Sequence, residues 1–353
     1  MPSTRIRASI ALCLIAAAAC DAPAARSEQP APPETRAPTT GLDSLLLERA
    51  RARLDSLEQS RSLIVARHGD VAAEWYFNGR DADDRANLKS VSKSLISALV
   101  GIAIEEGHIA GLDQPIVSFF ERELPANPDP RLRAITIEHL LSMRAGLEPT
   151  SFENYGAWVS SPNWTRYTLA QPFEDEPGGR MLYSTGSTHL LSAILTRATG
   201  MDTWSYARAK LGEPLGIEIP RWQRDPQGIY FGGNDMLMRP RELLRIGEVY
   251  RNGGVWNGVQ VLPRHWIEQS LVVRTHSPWN GHGYGYGWWT RELAGHTAHF
   301  AWGYGGQYLF FVPDLELTIV ATSDRAPRAG RRDYRALLLE SIEDVVRAAE
   351  IGG

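Results

Sequence analysis

Lysine is nearly absent from this sequence. Of its 37 basic residues only Lys89, Lys93 and Lys210 are lysines, and two of the three lie within Lys89-Ser90-Val91-Ser92-Lys93. A chain that uses arginine for its ordinary surface cations leaves the few lysines as candidates for what arginine cannot do. A guanidinium keeps its proton at any useful pH, whereas an amine can be desolvated into a neutral base. Ser90 and Lys93 stand at the Ser-x-x-Lys spacing of a serine nucleophile and a lysine base. A hydroxyl is a poor nucleophile without a base in hydrogen-bond reach, and positions three apart on a helix share a face. Burial and the positive end of the helix dipole both disfavour the ammonium form, and a backbone N–H in the first helical turn is available to an oxyanion. The plain alternative is a polar helix start with Ser90 or Ser92 capping and Lys93 solvated. Against it stands the position of Lys93 at the head of an apolar helix.

Two further segments can serve that pair. Pro177-Gly178-Gly179-Arg180 leads into Tyr183-Ser184-Thr185, and a tyrosine beside a Ser–Lys pair can relay a proton to a leaving group. Taken alone, Tyr183 is more often a packed aromatic. Trp302-Gly303-Tyr304-Gly305-Gly306-Gln307 precedes a strand, and its glycines allow backbone to approach a ligand closely. It is not a phosphate loop, because neither a lysine nor a helix follows. Gly283 to Trp289 reads as a structural aromatic strand edge. His296 and His299 are close but lack carboxylate or cysteine companions at ligand spacing, so no metal site is expected. Asp81 to Asp84 lacks the glycine and distal glutamate of a calcium loop. No Gly-x-Ser-x-Gly elbow is present.

The elements that must position these residues are legible in part. Leu42 to Leu57 has the spacing of an amphipathic helix. Ser62–His68 and Val71–Phe77 flank Gly69-Asp70 as a β-hairpin. Ser90 to about Glu106 reads as a helix buried nearly all round, stopped by Gly107. Ile135–Met143, His189–Thr199, Thr203–Leu211 and Pro240–Asn252 are further helices. Tyr284–Trp289, His296–Trp302, Gln307–Val312 and Leu317–Thr322 are strands, and Asp333–Ala349 is a last helix. Strands from the two chain ends can form one antiparallel sheet, with the helical middle inserted beside it and a site in the cleft between them. The expected division is an α/β part at about 42–112 and 255–350 and a helical part at about 113–254.

Composition narrows the class. A 43% hydrophobic content with 11 Trp, 12 Tyr and 9 Phe allows a sizeable core, and a net charge of −4 without like-charge blocks points away from nucleic acid and from an anionic membrane surface. Residues 1–20 read as an export signal: Arg5 and Arg7, then the apolar run Ala8–Ala19, too short to span a bilayer comfortably. The run ends Ala17-Ala18-Ala19-Cys20, like a lipoprotein signal whose Cys20 is lipidated, although the position of Ala17 is more often a leucine. An ordinary signal peptide is the alternative. Cys13 and Cys20 are the only cysteines, so the globular part has no disulfide framework. Residues 21–41 read as a Pro/Ala-rich tether, leaving 42–350 as the folded unit.

Taken together, the motifs from Ser62 to about Arg325 resemble the penicillin-recognising serine hydrolases: class C β-lactamases, DD-peptidases, and related esterases and 6-aminohexanoate oligomer hydrolases. Leu88-Lys89-Ser90-Val91-Ser92-Lys93-Ser94 resembles the family's first motif, and Thr136 to Leu147 the framework segment after it. Tyr183-Ser184-Thr185 stands where the family has Tyr-x-Asn. Trp302-Gly303-Tyr304 stands near its Lys-Thr-Gly or His-Thr-Gly strand. The resemblance implies a β-lactamase/transpeptidase-like α/β fold and acyl-enzyme chemistry without a cofactor or metal. Ser90 would attack a carbonyl, Lys93 would be the base and Tyr183 would assist proton transfer. The backbone N–H groups of Ser90 and Tyr304 would form the oxyanion hole, and Thr185, Trp302 and Gly303 would contact substrate. The departures matter. Trp302 replaces a cation that holds a substrate carboxylate, and Thr185 replaces an asparagine whose amide contacts a substrate amide. Both favour a neutral small-molecule ester or amide, with an apolar or linear acyl chain, over β-lactams. A cell-wall β-lactamase or DD-carboxypeptidase is the alternative. A non-catalytic envelope binding module is a second, disfavoured by the intact Ser90, Lys93 and Tyr183. Lys89 gains no role from any of these readings.

Overall fold

The computed structural model describes residues 41–324 and 330–351. The expected export signal, tether and Cys20 lie outside them, apart from Gly41. The first helix, α1 (Ser44–Asp55), starts where the Asp43 carboxylate accepts the Leu46 N–H. Strands β1 (Ser60–Arg67) and β2 (Asp70–Tyr76) form the predicted hairpin. The turn residues are His68 and Gly69, both at positive φ, one place earlier than the sequence pattern indicates. Helix α2 (Ser92–Glu105) follows a single 3-10 turn, Lys89–Val91, that carries Ser90. Helices α3 (Thr185–Thr199) and α4 (Pro240–Arg251) belong to the middle of the chain. Strands β3 (Thr275–His276), β4 (Gly283–Tyr284), β5 (Trp289–Leu293), β6 (His296–Gly303), β7 (Gln307–Val312) and β8 (Leu317–Ser323) follow, and α5 (Arg331–Ile351) closes the described chain. Among the described residues no helix is long and apolar enough to cross a membrane.

These eight strands form one antiparallel sheet in the order β2-β1-β8-β7-β6-β5-β4-β3. The two chain ends meet where β1 pairs with β8, Ile64 opposite Val320. The alternating side chains of a strand explain the layering. Ile64, Leu309, Phe311 and Val320 face a core shared with α2, α3 and α4. Leu63, Val65, Phe310 and Ile319 face Leu338, Ile342 and Val345 of α5 and Leu47 and Leu54 of α1. The β-lactamase/transpeptidase-like α/β architecture expected from the motifs is therefore the one present.

One predicted strand is divided. Tyr284–Trp289 reads as continuous, yet the chain turns between β4 and β5. Gly287 has φ of 82°, and a Cβ there would lie 3.1 Å from both the Lys93 carbonyl and the Ser97 Cβ. The Ser94 hydroxyl donates to the Gly287 carbonyl at 2.6 Å and the Ser97 hydroxyl to the Tyr286 carbonyl at 2.7 Å. The bend lets α2 lie against the sheet, and its serines satisfy the carbonyls that a regular ladder would have used. The helices predicted over 135–143 and 203–211 are shorter, Ile137–Leu141 and Thr203–Ala207. The first begins at a Thr136–His139 capping box, and the second passes into a π-helical turn, Arg208–Gly212.

Candidate active site

Ser90 is held on a strained turn. Lys89, just before it, has φ of 50°, a conformation costly for a side chain of this kind. The Lys89 ammonium lies 2.9 Å from Asp235 Oδ1, the Asn87 amide donates to the same oxygen at 2.8 Å, and the Lys89 N–H donates to Asn87 Oδ1 at 3.0 Å. Asp235 is itself at positive φ. The short antiparallel pairing of Ala86–Asn87 with Leu237–Met238 ties the two segments together. Lys89 thus clamps the turn, a role with no sequence signal, because Asp235 is 146 residues away.

Lys93 is buried, with 2% of its surface exposed. Its Nζ lies 3.1 Å from Ser90 Oγ and donates to the Gly233 carbonyl at 2.7 Å and to Thr185 Oγ1 at 3.3 Å. None of these partners is a carboxylate. Desolvation pushes the amine down to about 7, against an ordinary value of about 10.4. A neutral amine has two N–H bonds and one lone pair. With the N–H bonds committed to Gly233 and Thr185, the lone pair faces the Ser90 hydroxyl. Gly233 eases this approach, since a Cβ there would stand 3.1 Å from Nζ.

Tyr183 joins the pair. Its hydroxyl is in hydrogen-bond reach of Ser90, and its ring centroid lies 5.2 Å from Lys93 Nζ. Burial pushes the phenol up to about 12, with the Ser90 contact pulling the other way, so it is a proton donor at neutral pH. The ring stacks on Trp289 at 5.7 Å. Thr185 opens α3, and its hydroxyl is shared between Lys93 and Ser151 Oγ, 2.9 Å away. The first N–H groups of α3 find no cap in Ser184. Instead Ser151 Oγ accepts from Thr185 N and Thr150 Oγ1 from Gly186 N, which fixes the 150–151 segment to the site.

Gly303 ends β6 against the Ser90 turn: a Cβ there would be 2.2 Å from the Leu88 carbonyl. The backbone that continues into Tyr304 is therefore beside the serine, and the Tyr304 side chain is exposed. Trp302 points to the other side of β6, stacks on Tyr308 and carries the Arg335 guanidinium 5.1 Å above its ring. It reaches Tyr183 only through Trp289, 6.2 Å away. The exposed aromatic group beside Tyr183 is one with no signal in the sequence. Phe152, 68% exposed, lies 6.3 Å from Tyr183 and 5.4 Å from Trp279, itself 59% exposed. Phe152 has φ of 56° directly after the anchored Ser151. Among the described residues no three His, Cys, Asp or Glu side chains converge where a metal could sit.

The chain is similar to known hydrolases. A 6-aminohexanoate-dimer hydrolase of Paenarthrobacter ureafaciens is 26% identical over 89% of this chain and 87% of its own length. The esterase EstB of Burkholderia gladioli is 27% identical over 44% of each chain. In three dimensions the chain is similar to EstCE1, a hydrolase with promiscuous acyltransferase activity, at a TM-score of 0.70 and 19% identity, covering 85% of this chain and all of that one. At that identity the likeness is one of fold. The Beta-lactamase family profile matches residues 55–343, which include the whole Ser90 turn, Tyr183 and the Gly303 strand, and the chain belongs to that family of serine hydrolases.

Proposed function

We propose that this chain is an exported serine hydrolase that cleaves an ester or amide through an acyl-enzyme on Ser90, with Lys93 as general base. The observation that carries the reading is the uncharged setting of Lys93 Nζ, 3.1 Å from Ser90 Oγ. A base needs a lone pair aimed at the proton it takes and a pKa near the working pH. Lys93 takes the Ser90 proton as Oγ forms its bond to the substrate carbonyl carbon. The backbone N–H groups of Ser90 and Tyr304 bind the resulting oxyanion. The C–O or C–N bond then breaks, the leaving group receives a proton by way of Tyr183 and Lys93, and the acyl group stays on Ser90. A water molecule, deprotonated by the same amine, attacks the acyl carbon and frees the acid and the serine.

The acyl group is apolar. Phe152, Trp279 and Tyr183 form a run of ring surface from the exterior toward the serine. Thr185, its hydroxyl engaged by Lys93 and Ser151, has little left for a substrate amide. Residues 1–20 direct export, and Cys20 provides a lipid anchor to the cell envelope. A fluorophosphonate probe is expected to label the wild type and not Ser90→Ala, with short-chain p-nitrophenyl esters hydrolysed only by the former. Equal labelling of both would sink the mechanism. Turnover of a chromogenic cephalosporin without ester turnover would move the protein to the β-lactamase reading. Retention of cell-wall fragments unchanged in Ser90→Ala, with neither turnover, would make it a binding module.

A further inference from the structure

A second buried polar pair stands behind the lysine. His189 and Asp225 are both fully enclosed, with His189 Nε2 at 3.0 Å from Asp225 Oδ2. Rings of Trp158, Trp164 and Phe231 surround the imidazole at centroid distances of 5.8, 5.2 and 6.1 Å. The other ring nitrogen, Nδ1, accepts the Gly232 N–H at 3.4 Å. That contact fixes the tautomer: Nδ1 holds the lone pair, and Nε2–H donates to the carboxylate. Asp225 Oδ1 accepts from the N–H groups of Gln227 and Ile229 at 2.9 and 2.8 Å, so the carboxylate is itself held. Gly232 lies hard on α3, where a Cβ would be 2.1 Å from the Thr188 carbonyl. The next residue is Gly233, whose carbonyl accepts a hydrogen bond from Lys93 Nζ. On α3, Thr185 and His189 are one turn apart and share a face. One helix therefore supplies the second Lys93 acceptor directly and the first through the imidazole and the glycine backbone.

We propose that His189 and Asp225 are positioning residues for the base: the pair fixes the Gly232–Gly233 backbone so that the Gly233 carbonyl and Thr185 hold both N–H bonds of Lys93 and leave its lone pair on Ser90. Two enclosed polar groups at this cost in desolvation would be replaceable by apolar side chains if their work were stability alone. Their geometry is instead directed at one amide adjoining the Lys93 acceptor. Asp225→Asn tests it most sharply. Its Oδ1 can keep the Gln227 and Ile229 bonds, and its NH₂ then faces Nε2, which forces the proton onto Nδ1, against the Gly232 N–H.

The inference rests on Lys93 acting as the base. With short-chain p-nitrophenyl esters, Asp225→Asn is expected to lower kcat by about 30- to 100-fold, part of what a general base contributes, with KM within about twofold because the Phe152 and Trp279 rings are untouched. The acid limb of its kcat/KM profile is expected to move to lower pH, since an amine that loses a carbonyl acceptor holds its proton less firmly. His189→Gln, whose amide can accept from Gly232 and donate to Asp225, is expected to keep activity within about fivefold of the wild type. A merely structural pair would lower the melting temperature and leave the limb in place. Both folded variants with unchanged kcat and limb would overturn the inference. The wild type alone supplies a further test: ¹⁵N-histidine spectra at pH 7 should show His189 as the Nε2–H tautomer, and an Nδ1–H tautomer or an imidazolium would overturn it even if neither variant folds. Ser90→Ala or Lys93→Ala retaining esterase activity would mark failure of the underlying mechanism, a result separable from unchanged Asp225→Asn in an enzyme that Ser90→Ala inactivates.

Discussion

The two faces of the Ser90 turn each hold a lysine against the same loop, 233–235, and they use opposite chemistry. On the outer face Lys89, one-third exposed, meets the Asp235 carboxylate. On the inner face Lys93, buried, meets the Gly233 carbonyl and hydroxyls. A carboxylate and nearby water let an amine remain a cation, whereas burial among neutral acceptors removes the solvation that the cation needs. The Tyr183 ring lies 5.2 Å from Nζ, a contact that favours a cation. The same residue type, four positions apart, is a clamp on one face and a base on the other.

The hardest blow to this contrast is Lys93→Met. Its kcat/KM with an ester substrate should fall by about 10³-fold or more, while the melting temperature rises, since the wild type bears the cost of an enclosed amine. The sign follows from linkage. The folded pKa, near 7, is depressed below the unfolded value. The cost is therefore full below pH 7 and falls away toward the ordinary lysine pKa of about 10.4. Wild-type stability should accordingly climb relative to Lys93→Met over that window, in denaturant titrations at pH 7, 8.5 and 10. Equal or lower stability of Lys93→Met at pH 7 would contradict the burial argument.

Next in size is the pH dependence of catalysis. The base must be unprotonated, so kcat/KM should fall below pH 7, reaching about one-tenth of its plateau near pH 6. In Lys89→Met the limb should stay where it is; a displaced limb would mean that the two lysines titrate as one system.

Asp235→Asn removes the carboxylate from the outer face. A partly exposed ion pair contributes about 1 kcal/mol or less to stability, and loosening the strained turn should lower kcat/KM by about three- to tenfold. A loss matching that of Lys93→Met would erase the distinction between clamp and base. The smallest effect belongs to the rim. Phe152→Ala should raise KM for long-chain or aromatic acyl esters by about threefold, with acetyl esters and kcat little changed. A uniform fall in kcat for every ester would instead place Phe152 in the chemistry.

Local signals carried much of the architecture. The hairpin Ser60–Tyr76, α2, and the strands after His296 each have their own periodicity and turn residues, so their positions were legible to within a few residues. The division of Tyr284–Trp289 was not, because the bend at Gly287 exists to admit α2 and is stabilised by Ser94 and Ser97 from elsewhere in the chain. At the site, Ser90 on the 3-10 turn and Lys93 in the first turn of α2 are three residues apart and could be read together. Thr185 was legible as a position, while its contacts with Lys93 and Ser151 were not. Gly233 gave no signal, since any residue has a carbonyl. Phe152 gave none either, because an isolated phenylalanine in a loop reads as core.

The sequence by itself determined which residue types could react and which helix presents them together: a lysine where the chain otherwise uses arginine, three places after a serine, at the head of an apolar run. Periodicity and spacing act over a few residues, and that range suffices for a Ser-x-x-Lys pair. Only the tertiary structure decided what Lys93 is surrounded by, and therefore its protonation. Gly233, Thr185, Tyr183 and the His189–Asp225 pair arrive from 90 or more positions away, and desolvation depends on everything packed around an atom rather than on its neighbours in sequence.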